Sequence, residues 1–173
     1  NEGVLPRAYF VSEVRFLPSE KDVVAFMNTT EFDPAKMALT SVALDTSAGF
    51  DTGGSVQVTD YTPNRVVLNV ETERPAFLVL ADAYYPKGWT ARVNGVETPI
   101  YQVNHVLRGV SVPAGSYAVE FKFLPRSYQI ASRISTISCD IVWLSLLGVL
   151  IYQNREKIKN LKKKRPTPAK SNR

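Results

Sequence analysis

From residue 54 to residue 125 apolar and polar side chains alternate in short runs cut by turn residues, the mark of antiparallel strands rather than of strand-helix-strand units. "SVQVTDY", "NRVVLNVET" and "AFLVLADAYY" are the first three predicted strands. "GWTARVNGVETPIY" reads as a hairpin: Trp89, Ala91 and Val93 share one face, Thr90 and Arg92 the other, and Asn94-Gly95 is a strong two-residue signal for a type I′ turn. "HVLRGVSVPAGSYAVEFKFLP" supplies two more strands around Pro113-Ala114-Gly115, with Tyr117, Val119, Phe121 and Phe123 on one face and Pro125 ending the sheet. The first 50 residues are mixed: "VLPRAYFVSEVRFL" is extended, Ser19 caps a helix through "EKDVVAFMN", and Asp33-Pro34 opens a second helix through Lys36 and Ala38. Gly49, Gly53 and Gly54, set among Ser, Thr and Asp, predict a flexible link between that segment and the sheet.

The alternation gives way at residues 134–152 to "ISTISCDIVWLSLLGVLIY", in which Asp140 is the only formal charge. As a helix this run covers about 28 Å, close to the roughly 30 Å of a bilayer's hydrocarbon core. Nine Lys or Arg against Glu156 alone follow Gln153, as expected on the cytoplasmic side of a membrane span. Everything before the span is then extracytoplasmic. Asp140 is unfavourable in lipid by about 2.5–3.5 kcal/mol near a helix centre. Either it pairs inside a helical bundle, or water or Thr136 one turn back relieves it.

The fold class predicted is therefore mainly β: an antiparallel β-sandwich of immunoglobulin or jelly-roll type with minor N-terminal helices, followed by one C-terminal transmembrane helix. The expected divisions are a mixed segment at 1–48, the extracytoplasmic sandwich at 49–126, the transmembrane helix at 127–153 and a basic cytoplasmic tail at 154–173. Asn1 with no charged-then-apolar leader leads us to expect a segment of a longer polypeptide.

Composition changes this picture in one respect. The chain carries a formal charge of +5, but the residues after Gln153 account for +8, so the remainder is −3. A folded part of that charge lacks the basic surface needed for a phosphate backbone, which excludes nucleic acid as a partner. The basic tail serves topology and can also hold anionic membrane lipid. Cys139, the one cysteine, lies in the apolar run and behaves as a small hydrophobe, leaving no disulfide framework and no thiolate metal cluster.

Candidate chemistry is sparse. His105 is the one histidine and has no carboxylate or Cys at ligand spacing, so no metal site and no Ser-His-Asp arrangement is expected. "DTGGSV" lacks the Lys of a phosphate loop. No catalytic residue and no cofactor is assigned. What remains is a group of aromatic and polar residues suited to sugar contact: Tyr84, Tyr85, Tyr101, Asn104, His105 and Arg108, with Trp89 beside them. Against that reading, Trp89 is in register with Ala91 and Val93 and belongs to the core, and Tyr84 or Tyr85 closes a sheet edge at Pro86.

"LPRAYFV" (5–11), "FDP" (32–34), "VLADAYYPKGWTARVNG" (79–95), "IYQVNHVLRGVSVPAG" (100–115) and "VEFKFLP" (119–125) together resemble the C-terminal end of the bacterial YfhO family of membrane proteins. The resemblance implies a polytopic inner-membrane protein of the GT-C glycosyltransferase type, using a lipid-linked sugar donor on extracytoplasmic glycopolymers. It further implies that the catalytic acidic residue belongs to an early loop that nothing in this chain matches. The chain would then be a non-catalytic accessory domain and last span whose partners are the rest of the parent protein, membrane lipids and cell-envelope glycan. The alternative is a self-contained, membrane-anchored module binding glycan or protein.

Overall fold

The computed structural model describes residues 4–44 and 49–163. They divide between Pro125 and Arg126 into two units, each with its own internal contacts.

The first unit is built on two antiparallel sheets. β1 (Ala8–Val11), β6 (Ala76–Leu80), β10 (Leu107–Val112) and β9 (Tyr101–Val103) lie side by side in that order. The second sheet runs β4 (Ser55–Thr62), β5 (Arg65–Thr72), β11 (Gly115–Phe123), β7 (Trp89–Val93) and β8 (Val96–Thr98). Between them lies the main core, in which Leu68, Leu78, Leu80, Val110, Val119 and Phe121 are wholly buried. Each such side chain contributes about 1.5–3 kcal/mol relative to leaving it in water. The period-2 pattern of β11 holds as expected, with Val119 and Phe121 buried and Ala118 and Lys122 exposed. Pro113-Ala114 carries the chain from one sheet to the other, and the Tyr117 hydroxyl donates to the carbonyl of Ala114 at 2.8 Å.

β6 is buried on both faces. Ala76, Leu78 and Leu80 point into the main core, while Phe77 and Val79 join Tyr9, Val11 and Val103 in a second cluster. That second face is covered by β2 (Glu13–Phe16) and β3 (Met37–Thr40), which pair in parallel, with α1 (Glu20–Met27) as the crossover. Ser19 caps α1 as expected, its Oγ accepting from the amide of Asp22.

Two sequence-based expectations need correction. The second N-terminal helix does not form: Asp33 closes a single turn through the amides of Lys36 and Met37, and β3 follows at once. Met37, Ala38, Leu39 and Thr40 are all buried, and that burial in strand form outweighs the local helix signal of Asp-Pro. Nor is the glycine-rich segment, within its described residues 49–54, a free link. Asp51 is buried and binds the amide of Gly53 and the side chains of Thr72 and Arg74, and a Cβ on Gly54 would collide with the carbonyl of Glu71. The 1–48 segment contributes β1, an edge strand of the sandwich itself.

The second unit is one helix, α2 (Arg126–Lys163). Its stretch Arg126–Arg155 is the one helix among the described residues long and apolar enough to cross a membrane, and no part of its apolar window is buried. At 30 residues it measures about 45 Å, longer than the 134–152 run alone. Thr136, Ser138 and Ser145 each donate back to the carbonyl four residues earlier, which satisfies their hydroxyls without water. Thr136 is thus bonded to Ser132 rather than to Asp140, and among the described residues Asp140 has no hydrogen-bond or ionic partner.

Candidate functional site

The corner between β6 and β7, residues 81–88, is fastened at three points. The amide of Ala81 donates to Arg7 at 2.7 Å, that of Tyr84 to Val106 at 2.6 Å, and that of Leu124 to Gly88 at 2.7 Å. Gly88 has φ of 107°, which L side chains rarely adopt, and a Cβ there would meet the Phe123 ring and Pro125 at about 3 Å. A Pro-Lys-Gly corner therefore suits both the backbone and the space. β7 then leads into the hairpin read from sequence: Asn94 and Gly95 have φ of 49° and 82°, and Val93 pairs with Val96.

Between this corner and the end of β8 lies an open cleft of about 180 Å³. Tyr84, Tyr85 and Trp89 are its aromatic lining, which Glu97, Thr98 and Ile100 help to complete. Tyr85 is exposed and packs its ring 6.3 Å from that of Phe123, while Trp89 is half-buried at 5.4 Å from the same ring. Trp89 also packs against the main core, as expected, while lining the cleft. Aromatic rings in one cleft with a carboxylate and hydroxyls can stack on a sugar ring and bind its hydroxyls.

Behind the aromatic wall lies Arg108. Its Cζ is 3.8 Å from the centre of the Trp89 ring and its Nε donates to the carbonyl of Ala83 at 2.8 Å. Arg108 is only 5% exposed, and its Nη1 is buried with no hydrogen-bond partner. Burial lowers the guanidinium pKa, a shift opposed by the negative charge of nearby Asp82 and by Tyr61. Asp82 is itself held by Arg7 at 3.0 Å, which raises the pKa of Arg7, and Arg7 donates to the Tyr61 hydroxyl at 2.7 Å while lying over its ring.

The other expected sugar-contact residues are drawn elsewhere. Tyr101 packs 6.1 Å from Phe77 in the second cluster. Asn104 has φ of 47°, is 3% exposed and clamps β3, its Oδ1 accepting from Leu39 while its own amide donates back to the Leu39 carbonyl. His105 contacts Glu20 through Nδ1 at 3.1 Å, and Glu20 also accepts from Ser41 and Gln102. The six residues thus divide among the cleft, the ground behind it and the seam with α1 and β3. Sequence reasoning missed Glu97, Thr98 and Ile100. The Asn-Gly turn fixes Glu97 opposite Arg92, but that pairing alone carries no sign of what the end of β8 faces.

Among the described residues no group of three His, Cys, Asp or Glu could hold a metal ion. The model of a family described as "Bacterial membrane protein YfhO" matches residues 49–135, just over half of the chain and every residue of the cleft. No curated protein matches, and no solved structure does.

Proposed function

Because the chain belongs to the YfhO family of bacterial membrane proteins, we propose that it is the extracytoplasmic accessory domain and last membrane span of a polytopic glycosyltransferase-like protein. In this reading it carries no catalytic residue. The sandwich lies outside the inner membrane, the basic tail lies in the cytoplasm, and the cleft at Tyr84, Tyr85 and Trp89 contacts a cell-envelope glycan. The observation that carries the reading is the aromatic cleft lined also by Glu97 and Thr98. The strength of the glycan contact would lie in stacking on the exposed ring of Tyr85, with hydroxyl recognition by its polar neighbours.

The test is binding of neutral gluco- and N-acetylhexosamine oligosaccharides, and of isolated envelope polymer, to the full chain in nanodiscs. Tyr85→Ala should weaken binding by about tenfold, the loss of one aromatic stack worth about 1.5 kcal/mol. Equal binding by the variant, or none by the unaltered chain, removes the glycan role.

A second reading is favoured by the separate core of the first unit: a self-contained binding module on a single anchor. An upstream reading frame encoding many spans would sink it.

A further inference from the structure

Arg108 was expected to meet a sugar directly, but burial removes it from the cleft surface. Its contacts run instead to the two parts of the aromatic wall. Nε is bonded to the carbonyl of Ala83, immediately before Tyr84 and Tyr85, and the guanidinium carbon lies over the Trp89 ring. One side chain thus joins the corner to the start of β7.

The arrangement is costly for a residue that only fills space. A buried cation with an unpaired Nη1 loses hydration that nothing in its surroundings fully replaces. Asp82 forms no ion pair with Arg108, and its carboxylate is engaged by Arg7. The bond to the Ala83 carbonyl is only part-buried and Ala83 is an exposed residue, so water can replace Arg108 there. Loss of the guanidinium would therefore strand no buried group, and an apolar chain of similar length would satisfy the core.

We propose that Arg108 is a positioning residue for the cleft, fixing the Trp89 ring and the 83–85 corner in the geometry a sugar ring requires. It acts through those two neighbours and makes no ligand contact of its own. The proposal rests on the glycan reading for its ligand and on the structure alone for its positioning role.

The experiment uses the full chain in nanodiscs with Trp143→Phe, which leaves Trp89 as the one tryptophan. Arg108→Met should leave the thermal midpoint within about 2 °C of the parent or raise it. It should also flatten the near-ultraviolet circular dichroism of Trp89 and weaken binding of the neutral oligosaccharides by about tenfold, a loss comparable to that of an aromatic contact. Arg108→Lys, which keeps the charge but cannot stack as a plane and hold Ala83 at once, should fail to restore either signal.

A midpoint lowered by more than about 5 °C would make Arg108 a support of the fold and overturn the proposal. An unchanged Trp89 spectrum, or undiminished oligosaccharide binding by the variant of a parent that binds, would also overturn it. If the parent binds no oligosaccharide while Arg108→Met still flattens the Trp89 spectrum, the glycan reading falls and the positioning role stands.

Discussion

Gly109 lies on β10 against the ring of Phe77, where an added Cβ would overlap two ring carbons and press on Val103. Its smallness is a packing requirement rather than a turn requirement, and the sequence "VLRGVSV" offers no hint of it. Gly109→Ala should destabilise the sandwich by about 1–3 kcal/mol, the usual range for overpacking a filled core, read as a lowered urea midpoint at unchanged slope. An unchanged midpoint would mean that the Phe77 ring can swing away. Gly95 contrasts with it: no atom lies near its missing Cβ, and its φ of 82° is the whole reason for glycine there. That second kind of glycine was legible in the Asn-Gly pair, because turn conformation is local and packing is not.

At the scale of elements, strands β4 to β8, β10 and β11 and the Ser19 cap were readable because alternation and capping are properties of neighbouring residues. The pairing of β2 with β3 was not, since a parallel pair depends on a crossover and on two buried faces rather than on a turn. The segment at 49–54 shows how a glycine-rich stretch becomes ordered by one buried carboxylate. The amide of Gly53, with Arg74 and Thr72, holds the Asp51 pKa below its ordinary range. A carboxylate whose pKa is lowered by folding adds stability above its unfolded pKa of about 3.9, and that contribution is lost as pH falls through the folded value. Asp51→Asn should therefore melt below the unaltered chain at neutral pH, and the gap should close as pH falls through the lowered pKa of Asp51. A gap that persists in acid would assign the effect to packing and not to charge.

For the molecule as a whole, family membership and one long apolar helix make this a membrane protein. The proposed orientation adds a direction. In cells expressing the full chain, alkaline carbonate should leave it in the membrane fraction. Protease added outside spheroplasts should cut the sandwich's exposed turns and spare an epitope at the C-terminus. Protection of the sandwich would reverse the orientation argued from the basic tail. Asp140 belongs to the same scale: exposed and unpartnered within α2, it is an unfavourable feature for a span surrounded only by lipid.

The sequence by itself determined the class of the molecule: the β alternation, the Asn-Gly hairpin, the span with its basic flank, and the three motifs between residues 79 and 125 that fall within the family match. Each depends on residues close along the chain or on composition over a short window. The candidate site was only partly of this kind. Tyr84, Tyr85 and Trp89 stand together in sequence, and the fold keeps them together at one cleft. Arg108 was legible as a residue worth naming but not as a buried one. Its place behind Trp89 exists because β10 and β7 belong to opposite sheets whose inner faces meet. That juxtaposition is a product of long-range packing, and tertiary structure alone decided it.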